Sequence, residues 1–319
     1  MKRLHLTALG LALGIASLNA AAQTNGPVKI IVPFAAGGPN DIVARLAAQY
    51  MTEPLGKTII VENKPGATGA IGSQLAIDAK PDGNTLLLAS SSTMLAPILL
   101  KSVRFDPLKD FAPIDLVALD ENLLVVNPSL PVRSVPDLLQ MARDKPNALN
   151  YSTSGLGSSY HLGTELFKSE TGMEMVHVPY KGSAPAVMGL IAGDVQVQFQ
   201  AISQGKQHIE AGKAIPLAIA SPRRHNDYPD TPTIAEAANL PGFEFATWMG
   251  IFAPADTPEA ELQVLRSALN TAAANPEFQQ RLKDLGMSHI SESPAEIMTR
   301  LAKDQEKWGA LVQKLDLQM

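Results

Sequence analysis

The chain has 319 residues, a formal net charge of −5 and no cysteine. The lack of cysteine excludes disulfides, thiolate metal sites, cysteine nucleophiles and a lipoprotein anchor. Charged residues are spread along the chain without the basic stripe of a nucleic-acid-binding protein, so no nucleic-acid partner is expected.

The first 22 residues have the three parts of a cleavable secretory signal. A basic pair is followed by the apolar run Leu6–Leu18 and by the small residues Ala20–Ala22. An uncleaved membrane anchor is the alternative, but the apolar run is short for a membrane-spanning helix. We therefore expect residues 1–22 to be removed and the mature chain to be exported to the periplasm.

Short apolar or β-branched segments then alternate with segments of helical period. Ile42, Leu46, Tyr50 and Met51, for example, recur at helical spacing. This alternation is typical of βαβ units, so the predicted fold class is α/β. The predicted strands are 28–33, 58–62, 85–89, 122–127, 150–152, 176–179, 195–199, 215–220 and 250–253. The predicted helices are 41–55, 69–79, 135–144, 161–171, 184–192 and 207–211.

The C-terminal region has a different pattern. Two long helices are predicted at 259–274 and 294–315, joined through a shorter one at 276–285. We expect these helices to pack on the first of two lobes and to carry no chemistry.

Turn residues next to strand-like segments predict two crossings between the lobes. The first lobe then comprises residues 23–126 and 246–319, and the second comprises residues 127–245. A cleft between two lobes is where small ligands tend to bind.

The segment IIVPFAAGGPND, residues 30–41, predicts a buried strand that enters a helix through a glycine loop. Glycines let backbone N–H groups approach a ligand, and a helix N-terminus attracts anions. A carboxylate could therefore bind the N–H groups of residues 36–40; an ordinary tight turn is the alternative. The G-x-G-x-x-G spacing of a dinucleotide site is absent.

Two further polar loops follow predicted strands. The segment YSTSGLGSSYH, residues 151–161, offers hydroxyl and N–H groups at a second helix start, and residues 90–93 read SSST. A serine-rich loop alone is typical of a solvated connection. Several such loops at the ends of strands fit the position at which α/β sheets bind ligands.

Ser158, Ser159 and His161 also raise the alternative of an exported hydrolase. The segment lacks the G-x-S-x-G pattern of a nucleophile elbow, and no orienting acid is evident. The six histidines show no metal-ligand spacing. We therefore expect no enzyme, no metal ion and no cofactor.

Seven motifs follow one another along the mature chain: PFAAGGPND (33–41), VENKPGATGAIG (61–72), PDGNTLLL (81–88), VVNPSLPVRSVPDLL (125–139), HVPYKGSAPA (177–186), PTIAEA (232–237) and W-x-G-x-F-A-P-A (248–255). Together they resemble the Bug family, the TctC-like solute-binding proteins of tripartite tricarboxylate transporters.

This resemblance implies a type II periplasmic-binding-protein fold that closes around a small organic carboxylate. It also implies membrane transporter subunits as partners, and we expect a monomer. Carried over by position, the ligand-binding residues are Phe34, Ala36, Gly37, Gly38 and Asp41 in the first loop, Ser90, Ser91 and Ser92 in its neighbour, and Ser154, Gly157, Ser158, Ser159 and His161 in the second lobe.

The chain departs from the family pattern at two positions. Pro39 stands where a glycine or another small residue is expected and removes one N–H donor. Gln200 stands where the family often has an aspartate after phenylalanine, which could pair with a ligand ammonium. We therefore expect Gln200 to contact a ligand without an amino group, either a dicarboxylate or an aromatic carboxylate. A sensor that presents its ligand to a signalling kinase remains an alternative.

Overall fold

The computed structural model describes residues 26–318, so the predicted signal segment, residues 1–22, lies outside the described residues. The strands are β1 Val28–Val32, β2 Ile59–Asn63, β3 Thr85–Ser90, β4 Phe111–Val126, β5 Asn150–Thr153, β6 Val176–Pro179, β7 Val197–Ala201, β8 Ile215–Ile219, β9 Ala246–Pro254 and β10 Ser288–His289. The helices are α1 Pro39–Leu55, α2 Ala70–Ile77, α3 Ser91–Met94, α4 Ala96–Leu99, α5 Val135–Asp144, α6 Ser159–Thr171, α7 Ser183–Ala192, α8 Ile202–Glu210, α9 Ile234–Ala238, α10 Glu259–Ala273, α11 Pro276–Asp284 and α12 Pro294–Lys314.

The first sheet has the strand order β2-β1-β3-β9-β4, and β10 pairs with β4. β1 runs parallel to β2 and β3, whereas β9 is antiparallel to β3 and β4. Val28, Ile30 and Val32 pack against α1 and α10, while Ile31 packs in the cluster on the opposite face. Both faces of β1 are buried, which explains why its sequence is mostly apolar rather than alternating.

β4 belongs to two sheets. Its residues 111–121 pair with β9, and its residues 122–126 pair with β7 and β8. β5 and β6 extend the second sheet in parallel with β7. The chain thus passes from one sheet to the other within a single strand, and it returns through β9. The lobe boundaries at 126/127 and 245/246 remain a prediction.

The predicted strand at 122–127 covers only the second part of β4. Pro113, Asp115 and Asp120 interrupt the apolar pattern of the first part, and shifts of register between Pro113 and Asp115 accommodate that interruption. The strand predicted at 195–199 lies two residues later, at Val197–Ala201, and the helix predicted at 207–211 begins earlier, at Ile202. β7 ends at Ala201 and α8 begins at Ile202 without a side-chain cap, so no sequence signal marks this helix start.

The C-terminal helices differ in what they cover. α10 and α11 pack on the first sheet with α1, as expected. Ile297 and Leu301 of α12 also join a first-sheet cluster, but Trp308, Leu311 and Val312 pack in the cluster that covers the second sheet. The expectation that all three helices pack on the first lobe is therefore wrong for the last turns of α12.

Between residues 26 and 318, the structure contains no helix that is both long and apolar enough to cross a membrane. The same residues contain no group of three or more His, Asp or Glu side chains arranged to hold a metal ion.

Candidate functional site

The loop between β1 and α1 is built around the carboxylate of Asp41. Asp41 is buried, and its Oδ2 accepts the N–H of Gly37 at 2.8 Å and Nε of Arg45 at 3.0 Å. Its Oδ1 accepts Nδ2 of Asn63 at 2.9 Å. Burial pushes the pKa of Asp41 upward, but the hydrogen bonds from Arg45, Gly37 and Asn63 outweigh it and hold the pKa below its usual value. Asp41 therefore shapes the loop as a carboxylate.

This arrangement decides which N–H groups of the first loop can meet a ligand. The N–H of Gly37 is occupied by Asp41, and Pro39 has none. The first helical bond runs from Ile42 N–H to Gly38 O, which leaves the N–H groups of Gly38 and Asn40 without an acceptor among the described residues. Ala36 is exposed and Phe34 is half-buried in the same loop. The loop keeps a helix N-terminus open to an anion, with fewer donors than the sequence suggested.

The serines after β3 lie beside this loop. A Cβ added to Gly69 would meet both Pro33 and Thr93 at about 3.3 Å, which shows how closely the neighbouring segments approach. Ser90 Oγ lies 3.0 Å from Ser92 Oγ and 3.2 Å from Thr93 Oγ1, so the Ser90 and Ser92 hydroxyls already have hydrogen-bond partners within this segment.

Ser91 differs from its neighbours Ser90 and Ser92. The residue is 6% exposed, and its Oγ has no hydrogen-bond partner among the described residues.

The second loop, between β5 and α6, is held by its own side chains. Ser158 Oγ caps α6 by accepting His161 N–H at 3.3 Å and donates to Gly155 O at 2.8 Å. Gly157 N–H donates to Nδ1 of His161 at 3.2 Å, and Gly155 and Gly157 both have positive φ values that suit glycine. Ser154 O accepts Gly182 N–H, which joins this loop to the one after β6. Gly157, Ser158 and His161 thus position the loop.

The donors that the second loop leaves free lie at the start of α6. Its first helical bond runs from Leu162 N–H to Ser158 O. The N–H groups of Ser159 and Tyr160 therefore have no acceptor among the described residues, as expected for a helix N-terminus. Both loops therefore present a helix N-terminus with unpaired N–H groups.

His161 belongs to a buried stack of rings behind this loop. The His161 and His177 rings stack at 4.3 Å, and Tyr151 stacks on the other side of His177 at 4.8 Å. Burial, and then the neighbouring His161, lower the pKa of His177 to about 4, and burial also lowers the pKa of His161. Both imidazoles are neutral at pH 7. Thr153 Oγ1 lies 2.6 Å from Nε2 of His177, which fixes that ring against β5.

The same contacts argue against serine chemistry. His161 uses Nδ1 to accept Gly157 N–H, and Ser158 Oγ donates to a backbone carbonyl rather than to an imidazole. Glu165 accepts from Tyr151 OH and Lys168 Nζ, not from a histidine. Activation of a serine needs a base within hydrogen-bond reach and an acid that orients it, and this arrangement has neither.

Gln200 lies in β7 and packs against α8. It is 1% exposed, and neither amide atom has a hydrogen-bond partner among the described residues. A Cβ added to Gly205 would lie 2.3 Å from its Nε2, so the side chain packs directly on that helix.

A cavity of about 820 Å³ opens where the two sheets meet. Ser91 and Ser159 line it, together with Glu121, Trp248 and Trp308, so it reaches the segment after β3 and the start of α6. Its volume falls in the range of small-ligand pockets. The glycine loop and His161 do not line it, and neither does Gln200. Of the fourteen predicted site residues, the cavity therefore unites two.

Sequence reasoning missed a buried acid at the crossing between the sheets. Asp120 is 2% exposed and accepts Ser203 Oγ at 2.5 Å and Ser203 N–H at 3.4 Å. Burial raises the pKa of Asp120 to about 7. Tyr160, in the first turn of α6, lies close enough for Asp120 to add to the rise that burial causes in the pKa of Tyr160. The sequence showed only two acids, Asp120 and Glu121, just before the predicted strand 122–127.

Comparison with known proteins gives the family of the chain. The model of the TctC family, described as the tripartite tricarboxylate transporter family receptor, matches residues 43–317. The structure of the periplasmic binding protein BugD is 32% identical and has a TM-score of 0.80, and the match covers 92% of this chain and 98% of that one.

Two further structures contain ligands. Rpa4515 of R. palustris with adipate is 33% identical with a TM-score of 0.82, covering 91% of this chain and 97% of that one. MatC of Rhodopseudomonas palustris with bound malate is 31% identical with a TM-score of 0.79, covering 90% of this chain and 98% of that one.

These matches span both sheets and confirm the predicted resemblance and the α/β periplasmic-binding fold. The chain belongs to the TctC, or Bug, family of periplasmic solute-binding proteins.

Proposed function

We propose that this protein binds a small organic carboxylate in the periplasm and delivers it to the membrane subunits of a tripartite tricarboxylate transporter. The observation that carries this proposal is the pair of loops after β1 and β5, each ending in a helix N-terminus with free donors, at Gly38 and Asn40 and at Ser159 and Tyr160. A carboxylate between two such ends is stabilised by both without a basic side chain.

The relatives and the neutral residue at position 200 support a proposal for the ligand class. Adipate in Rpa4515 and malate in MatC are both dicarboxylates. Gln200 has no charge to offer a ligand ammonium. We therefore propose a dicarboxylate or an aromatic carboxylate as the ligand of this chain, with no chemical conversion of it.

The proposed action is closure of the two lobes, as a monomer, around the ligand. A ligand that binds both loops at once has higher affinity for the closed arrangement, and this difference alone sets how far it shifts the equilibrium. Membrane subunits that recognise the closed surface would then receive only loaded receptor.

The test is thermal melting of residues 23–319, freed of co-purified ligand, with a panel of dicarboxylates, tricarboxylates and aromatic carboxylates. A ligand at 100 times its dissociation constant is expected to add about 2.7 kcal/mol of stability. Uptake of that compound by cells that lack the protein should fall. A panel without any stabilising compound would overturn the proposal.

Gly38→Leu separates binding from folding. Gly38 has φ −81°, and an added Cβ would meet only Ala35 O at 3.5 Å, so a side chain is tolerated there. The variant should melt like the unliganded wild type and lose the shift, because bulk covers the free donors. Gly26→Leu, at a position with no atom within 4 Å of an added Cβ, is the matched control and should keep the shift.

A further inference from the structure

Asp120 lies where β4 passes from the first sheet to the second, close to the starts of α6 and α8. Asn122, two residues further along β4, pairs with Ala201, the last residue of β7, so Asp120 lies just beyond the end of that strand. Ser203 in the first turn of α8 donates to it, and Tyr160 in the first turn of α6 lies beside it. Ligands of α/β sheets bind at this edge, outside the carboxyl ends of the strands.

The surroundings of Asp120 contain polar groups that the protein leaves unsatisfied. Thr247 pairs directly with Asp120 across β4 and β9, so their side chains lie on one face about 5 Å apart. Thr247 Oγ1 is buried without a hydrogen-bond partner among the described residues, as is Oε1 of Gln204, the residue after Ser203. Buried polar atoms of this kind are normally satisfied by protein, water or ligand.

No cation balances the acid at this position. Within residues 26–318, no Lys, Arg or His hydrogen-bonds to Asp120 or forms an ion pair with it, and Ser203 alone donates to it. The titratable groups that face it are Glu121 on the same strand and Tyr160 of α6. A second anion placed here would meet uncompensated repulsion from an ionised carboxylate.

We propose that Asp120 forms the floor of the ligand site and carries a proton when an anionic carboxylate is bound, so that its carboxyl donates a hydrogen bond to the ligand. This inference rests on the proposed function. The proton comes from solvent, and Asp120 changes from carboxylate to carboxylic acid as the complex forms. The pKa of about 7 in the free protein means that this change falls in the physiological range. The ligand class is a carboxylate without an ammonium group, since an ammonium would keep Asp120 ionised.

The test measures proton uptake and affinity together, with malate, succinate and adipate as probes. Calorimetry between pH 6 and pH 8, in two buffers of different ionisation enthalpy, counts the protons taken up. Binding to the wild type should take up as much as one proton at pH 8, and affinity should fall about tenfold from pH 6 to pH 8. Asp120→Asn should abolish the uptake that the wild type shows at pH 8 and flatten the pH profile. Asp256→Asn, at an exposed loop position, should leave both unchanged.

A second variant keeps the test decisive if Asp120→Asn does not fold. The Ser203 hydroxyl lowers the pKa of Asp120, so Ser203→Ala should move the midpoint of the affinity profile to higher pH. Binding without proton uptake, or uptake that persists in Asp120→Asn, would overturn the inference alone. Affinity that increases with pH would overturn the assignment of an anion at Asp120. Failure of every carboxylate to bind at any pH would overturn the proposed function, and the inference with it.

Discussion

Gly163 on α6 leaves no room for a methyl group against Phe245. A Cβ added there would lie 2.3 to 2.6 Å from three ring atoms of Phe245. The ring cannot move aside easily, because Tyr160, Phe199 and Trp308 surround it with centroids 5.8 to 6.4 Å away. α6 follows the second candidate loop directly, so the packing of this helix on Phe245 also positions that loop.

Gly163→Ala is expected to destabilise the protein by about 2 kcal/mol. Overpacking of a filled core costs up to about 3 kcal/mol. Replacement of glycine by alanine within a helix returns about 1 kcal/mol. Gly309→Ala on α12 is the matched control, because the nearest atom to its added Cβ is Ile98 Cδ1 at 4.0 Å. This variant should gain about 1 kcal/mol, so the two alanine variants should differ by about 3 kcal/mol.

Urea unfolding of the ligand-free protein at pH 7, followed by circular dichroism, measures the difference. Both variants should unfold with the wild-type slope, so that a shift of midpoint reports stability. If Gly163→Ala proved as stable as Gly309→Ala, then α6 moves freely over Phe245 and the packing argument is refuted. If Gly163→Ala lowered the free energy of carboxylate binding by more than the free energy of unfolding, the position of α6 would also determine the geometry of the second loop.

Three other changes test separate parts of the molecule. Asp120 has a pKa of about 7 in the folded protein, so between pH 4 and pH 7 it holds a proton that the unfolded chain has already released. The free energy of unfolding should therefore fall by up to about 4 kcal/mol between pH 4 and pH 7. Asp120→Asn should remove that fall in urea titrations. For His177 the effect of pH on stability is the reverse. Its pKa is about 4 in the folded protein, so the free energy of unfolding falls as pH decreases from 6.5 towards 4. His177→Gln should reduce that loss relative to the wild type. Trp308→Ala should cost about 3 to 5 kcal/mol by the same assay, and a loss below 1 kcal/mol would show that the end of α12 does not hold the second sheet.

The β1 loop shows how far sequence alone could go. Its apolar strand, two glycines and Pro39 were enough to predict the strand, the turn and the start of α1. The hydrogen bond from Gly37 N–H to Asp41 could not be predicted, because it depends on the orientation of the Asp41 side chain. That orientation is fixed in part by Asn63 of β2, which is distant in the sequence. Contacts between segments distant in the chain decide which donors remain for a ligand.

β4 shows what the sequence concealed. Its second part, LLVV, is apolar and was predicted, whereas its first part holds acids that a pattern-based assignment places in a loop. Asp120 and Asp115 are tolerated there because Ser203 donates to the first and Ser291 Oγ to the second. These partners are 83 and 176 residues away in sequence. Asp115 and Asp120, which made the first part of β4 unrecognisable as a strand, are therefore the residues through which it bonds to distant segments.

α12 adds a third link between the sheets, besides β4 and β9. Gln305 donates to Met94 O in α3, which follows β3 of the first sheet, while Lys314 donates to Ser169 on α6. Packed interiors resist gradual deformation, so the proposed closure must either bend α12 or slide α6 along it. The free energy for that step can come only from the preference of the ligand for the closed state. Each kcal/mol of resistance at α12 is therefore expected to weaken the apparent affinity about fivefold, although this helix supplies no residue to either candidate loop.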